Sequence, residues 1–169
     1  MKRFTSIFPL FLLTLASFTT QAQNCDASLK SDTVNSRYIA NTDGTVTDKQ
    51  TELTWMRCAL GQTWDGSGCV GLPKAYAWKK AENMAEATTF AGKNDWRIPE
   101  QEELQSLFEN RCYRPFINLV AFPNPADIWF WTDTANPSNM GSAWIVNFFY
   151  EYHAFGNKND AYAVRLVRD

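Results

Sequence analysis

With a single histidine, His153, and no Cys-x-x-Cys pair, this chain lacks the usual donor set of a zinc site. No glycine-rich phosphate loop appears, and no serine or cysteine stands in a nucleophile motif that could use that histidine. The acidic residues are scattered, and no cofactor-binding motif is present. These gaps leave no recognisable route to phosphoryl transfer, acyl transfer or metal-assisted hydrolysis, so the sequence is read as that of a non-enzyme with no catalytic residues, no metal and no cofactor. A clustered basic surface is missing too: 16 Lys and Arg stand against 18 Asp and Glu. Nothing in that balance draws the chain toward nucleic acid.

Long apolar runs are also scarce. The one at the start, from Phe4 to Phe18, follows Lys2 and Arg3, precedes Thr20-Gln21-Ala22, and falls short of the ~18 residues needed to cross a bilayer. Charge, apolar stretch and small-residue site in that order read as a signal peptide over residues 1–22. The expectation is an exported protein, periplasmic, on the cell surface or extracellular, whose mature part does not span a membrane. Residues 23–169 then form one domain, and removing Lys2 and Arg3 leaves it mildly acidic.

All four cysteines, Cys25, Cys58, Cys69 and Cys112, fall in that domain. An even number in an exported chain favours two disulfides over free thiols. Of the three connectivities, Cys58–Cys69 with Cys25–Cys112 is preferred: the first closes a short loop through Asp65-Gly66-Ser67-Gly68, and the second ties the N-terminal segment to mid-chain.

Periodicity supplies the elements. Residues 37–56 read as a hairpin turning at Asn41-Thr42-Asp43-Gly44, since Asp-Gly between β-formers is a strong turn signal. Asn41, Asp43 and Asp48 resemble part of a calcium loop, but the twelve-position pattern and its terminal acid are absent, so a plain turn is preferred. Between Leu72-Pro73 and Asn94 the spacing of Ala75, Trp78, Ala81, Ala85 and Thr88 predicts an amphipathic helix. A second helix is expected from Pro99 to near Cys112, with Leu104, Leu107 and Phe108 buried. After Pro125 come strands: Trp129–Thr132, a loop over residues 136–141, a strand over 143–150, then a turn at 156–160 into a strand whose Tyr162, Val164 and Leu166 share a face. The fold class is α+β.

Several blocks carry a resemblance: Asp43-Gly44-Thr45-Val46-Thr47-Asp48, Leu53-Thr54-Trp55-Met56-Arg57-Cys58, Gly61-Gln62-Thr63-Trp64-Asp65-Gly66, Trp96-Arg97-Ile98-Pro99 with Glu103-Leu104, Asn118 to Asn124, and Val164-Arg165-Leu166-Val167-Arg168. In this order they resemble the Lcl C-terminal domain family over nearly all of residues 23–169. That family is in turn distantly similar to the C-type lectin-like fold. The resemblance implies two helices around antiparallel sheets with a long irregular loop region. The calcium-dependent lectin motifs Glu-Pro-Asn and Trp-Asn-Asp are absent, so no lectin metal ligands are carried over.

Aromatic residues supply the remaining signal. Of the seven tryptophans, Trp55, Trp64, Trp78, Trp96, Trp131 and Trp144 are assigned to core or framework. Trp129, Tyr150, Tyr152, His153 and Phe155 are harder to place indoors. Rings with polar edges suit stacking on sugars or docking a partner. Trp129, Tyr150, Tyr152 and His153 are therefore the candidate ligand-binding residues, on a face between Asn118 and Asn159. The expected function is an exported, non-catalytic module that binds a glycan or a surface or matrix ligand. A protein-interaction or structural component of the envelope, with homo-oligomerisation as one use of the domain, is the alternative, and an enzyme the remote third.

Overall fold

The computed structural model describes residues 23–26, 28 and 36–169. The expected signal peptide lies outside them. Among the described residues no helix is long and apolar enough to cross a membrane. Among the described residues, eleven short strands and two whole helices follow in order: β1 Asn24–Cys25, β2 Tyr38–Ala40, β3 Thr45–Asp48, β4 Thr54–Met56, β5 Thr63–Trp64, β6 Cys69–Val70, α1 Trp78–Glu86, α2 Gln101–Gln105, β7 Cys112–Tyr113, β8 Trp129–Asn136, β9 Asn139–Asn147, β10 Tyr152–Asn157 and β11 Val167–Arg168. The α+β class is therefore met, with sheet dominating.

Two sheets organise the molecule. One is four-stranded in the order β11-β4-β3-β2, and the other is three-stranded in the order β10-β9-β8. Alternation along the strands sends side chains of both sheets into two cores. Val46, Trp55, Phe122, Phe130, Val146 and Val167 build one core, while Met56, Trp96, Trp131, Ile145, Val164 and Leu166 build the other. Tyr162, Val164 and Leu166 share a side as expected, in the second core.

The run from Tyr162 to Asp169 joins these parts. Tyr162 and Tyr76 exchange backbone bonds at 2.8 and 3.1 Å, and Trp131 N–H donates to Ala163 O at 2.9 Å. Leu60 N–H donates to Val164 O at 2.9 Å, Met56 N–H to Leu166 O at 3.0 Å, and Arg97 and Val167 bond each other twice. Arg165 in the middle is fully buried and, among the described residues, pairs with no carboxylate; it donates to the carbonyls of Met56 and Arg57 and lies over the rings of Phe122 and Phe130. Burial pushes its pKa down, so carbonyl dipoles and two π faces must offset the desolvation of the charge.

Both disulfides have the expected pairing, Cys25–Cys112 and Cys58–Cys69, and no described cysteine is free. The first links β1 to β7, where the two residues stand opposite each other.

Several boundaries differ from the periodic reading. The first helix is confined to Trp78–Glu86 because Tyr76 is paired to Tyr162 before it, and Ala91 at φ 51° with Gly92 at φ 71° turns the chain after it. Ala81 and Ala85 still face the core. The second helix ends at Gln105, since Glu109 N–H bonds Phe116 O and Phe108 bridges Ile117; Leu104 and Leu107 are buried all the same. The expected loop over residues 136–141 is a tight connection at Pro137-Ser138. Residues 152–157, which the periodic reading left unassigned up to its turn at 156–160, are strand β10, while the segment after Tyr162 leaves that sheet and ends as β11 beside β4.

The Asp43-Gly44 turn forms as read. Gly44 sits at φ 87°, and a Cβ there would come within 2.8 Å of Trp64, so glycine is required twice over. Asn41 and Asp43 bond Thr45, whereas Asp48 points away to Arg37, which separates the three residues that resembled a calcium loop. Asp48 is wholly buried and accepts bonds from Arg37 Nε at 2.8 Å, Gln50 N–H at 3.0 Å and the Thr51 hydroxyl at 3.0 Å. Burial alone would raise its pKa, but these donors outweigh it and hold the carboxyl below its ordinary range. A carboxyl with a lowered folded-state pKa adds stability above its unfolded value and loses it as pH falls through the folded one. Asp48→Asn should therefore cost about 1–3 kcal/mol at pH 7, with the gap to the parent protein closing below about pH 4. Urea midpoints at pH 7 and pH 3 check this; an equal gap at both would contradict it.

Candidate functional site

Trp129 opens β8, Asn147 closes β9 and Tyr152 opens β10, and the strand register sets them in one row: Trp129 opposite Asn147, and Asn147 opposite Tyr152. Directly opposite residues share a face, so the rings of Trp129 and Tyr152 flank the Asn147 amide and meet edge to face at 6.1 Å. Asp127, just before β8, is held from two sides: Asn147 Nδ2 donates to one carboxylate oxygen at 3.3 Å and the Tyr150 hydroxyl to the other at 3.2 Å. Tyr150 lies in the turn between β9 and β10, where Asn147 Oδ1 accepts the Phe149 N–H at 2.7 Å and Glu151 takes φ 50°. One buried amide therefore organises the turn, the carboxylate and the aromatic row.

Exposure divides the members. Tyr150 and Tyr152 are each 59% exposed, Trp129 is half-buried against the second core, and Asn147 is buried. The result is a surface of exposed aromatic planes beside an exposed carboxylate whose orientation is fixed. Such a surface offers an apolar face and a hydrogen-bond acceptor together, which suits a ligand carrying both C–H faces and hydroxyls.

Residues 44–168 match the model of the Lcl C-terminal domain. The chain belongs to the Lcl C-terminal domain family. Among curated proteins, none matches the chain.

The blocks that carry the Lcl resemblance fall on the frame rather than on the aromatic row. Trp96 and Ile98 are buried, and Arg97 forks onto Glu103 at 2.7 and 2.8 Å and reaches Asp169 at 2.7 Å. Arg57 donates to the carbonyls of Ala121 and Val120 and stacks 4.1 Å from the Trp64 ring. In this Lcl domain the recognisable motifs hold the sheets together, and the candidate surface is built from residues outside those blocks.

Of the four residues singled out in the sequence, the structure brings Trp129, Tyr150 and Tyr152 together around Asp127. His153 follows Tyr152 in β10, opposite Val146 in the register, and its ring stacks on the Tyr152 ring at 6.3 Å and 21°, so it borders the group. It also meets Trp144 at 5.3 Å, and Trp144 in turn stacks 4.1 Å from Phe155, which is 46% exposed. Trp144, assigned above to the framework, is half-buried and belongs to this second ring group; so are Trp64 and Trp78 half-buried, while Trp55, Trp96 and Trp131 are core. Asp127 and Asn147 were missed because an Asp before a strand and an Asn at a strand end are ordinary turn signals, and only the three-strand register joins them.

Truncations should separate surface from core. Tyr152→Ala is expected to change stability by no more than about 0.5 kcal/mol, whereas Trp129→Ala should cost about 2–3 kcal/mol because its ring packs on the second core. Urea denaturation of both variants provides the comparison, and a large loss in the tyrosine variant would make that ring part of the core.

Proposed function

We propose that this Lcl-family chain is an exported, non-catalytic binding module that holds a glycan or a surface or matrix ligand on the Trp129–Tyr150–Tyr152 surface. The observation that carries this reading is the exposed aromatic row with the Asp127 carboxylate clamped beside it. A sugar ring presents C–H groups to an aromatic plane while its hydroxyls seek fixed acceptors and donors, and this surface supplies both kinds of partner. Two disulfides fit an oxidising compartment, periplasmic, surface or extracellular. We also read the architecture as C-type lectin-like, a reading supported by two helices set among antiparallel sheets and a largely irregular stretch between Tyr113 and Trp129. Glycan binding on this surface is metal-independent in this account, because the residues of the row offer a single carboxylate.

One observation favours a second reading, self-association within the envelope. Strand β10 is the edge of its sheet, and among the described residues its outer side has no backbone partner. Its sequence, Tyr-His-Ala-Phe-Gly-Asn, carries none of the charges or prolines that usually protect an edge.

A glycan array with and without chelator, run beside light scattering, separates the two. The first reading expects chelator-insensitive binding that Tyr152→Ala weakens at least tenfold while the fold is retained. No binding to any glycan, together with a stable oligomer that Phe155→Lys dissociates, would replace it with the second.

A further inference from the structure

The outer face of the four-stranded sheet carries a recessed polar pocket of about 200 Å³, separate from the aromatic row. Its floor follows from strand register: Thr47 of β3 stands opposite Thr54 of β4, and Thr54 opposite Arg168 of β11, so the three share a face. Asn41 and Asp43 of the first turn form one wall, and the segment from Ala91 to Trp96 forms the other.

The partners within the pocket show which groups are already engaged. Arg168 is forked onto Asp95 at 2.8 Å through both nitrogens, and one oxygen of Asp43 accepts the Thr45 N–H and hydroxyl. The Asn41 amide donates to the hydroxyls of Thr45 and Thr47. Among the described residues, the Thr54 hydroxyl and the second oxygen of Asp43 have no hydrogen-bond partner, and the Lys93 ammonium donates no hydrogen bond, its charge acting on the nearby Asp95 without direct contact.

The free groups therefore include a cationic donor, an anionic acceptor and a hydroxyl that can do either. That mixture disfavours a simple anion, which would meet the Asp43 carboxylate, and it disfavours a metal ion, for which the lining supplies one carboxylate. It matches a ligand whose own groups both donate and accept. At this volume the pocket is below the range of drug-sized sites and holds one small ring. We propose that this pocket binds a single neutral sugar ring or cyclic polyol through Thr54, Lys93 and Asp43.

The test uses two-dimensional amide NMR of the purified protein titrated with methyl α-D-glucoside, methyl β-D-galactoside, methyl α-D-mannoside, myo-inositol and, separately, sodium sulfate. At least one of the four neutral probes should shift the amides of Thr47, Thr54 and Lys93 with millimolar affinity. Thr54→Val and Lys93→Met should each weaken that binding at least tenfold, while Tyr152→Ala leaves it unchanged. Because the readout sits on different residues, failure here is distinguishable from failure of the aromatic surface. Shifts confined to Trp129 and Tyr152, shifts with sulfate alone, or no shift with any probe would overturn the proposal.

Discussion

Everything else in this structure depends on the buried run from Ala163 to Val167. A short segment with alternating side chains normally serves one sheet, but here each neighbour belongs to a different part of the molecule. Ala163 holds Trp131 of the three-stranded sheet, Val164 and Leu166 accept from Leu60 and Met56 beside the four-stranded sheet, and Val167 pairs with both Trp55 and Arg97. The side chains divide in the same way, Ala163 and Val167 into one core and Val164 and Leu166 into the other. Buried backbone groups must be paired, so this run could not enter the interior unless both sheets met it with donors and acceptors in place. Arg165 extends the same logic to a side chain: its charge is kept indoors by two carbonyls and two rings instead of an acid.

That junction gives the candidate surface its setting. Strand β8, which supplies Trp129, is bonded on one side to β9 and on the other to Ala163, since Ala163 N–H donates to Trp129 O at 2.9 Å. The base of the aromatic row is thus fastened to the centre of the molecule, while its outer part stands in solvent, Tyr152 on the edge strand and Tyr150 in the turn before it. Under the proposed function, a ligand arriving there would meet rings already oriented by the register and a carboxylate already held by Asn147 and Tyr150. Less ordering then remains to oppose binding.

Much of this was legible in the residues, and the failures have physical causes. The Asp43-Gly44 turn could be read because a dipeptide that demands φ > 0 announces itself locally. The cysteine pairing was legible because a short loop rich in turn formers leaves one economical connectivity. Leu104 and Leu107 were placed indoors correctly although the helix around them stops early, since burial follows the apolar stripe even where the backbone changes course. Strand β10 was hidden because Tyr-His-Ala-Phe-Gly-Asn has a histidine and a glycine within it and makes sense only once β9 lies alongside. His153 was grouped with Tyr152, and their rings do stack at 6.3 Å, but the strand also sets His153 against Trp144, a contact no local pattern announces. Asp127 and Asn147 needed a three-strand register that no local pattern encodes.

Native-state hydrogen exchange tests the central claim most directly, that one buried run makes the two sheets a single cooperative body. The amides of Met56, Trp131, Ala163 and Val167 should exchange only through global unfolding, sharing one opening free energy equal to that from denaturant unfolding. If Met56 and Val167 instead opened together at a lower free energy while Trp131 and the rest of the β8–β9–β10 sheet stayed protected, the sheets would be separate units and the account would be contradicted.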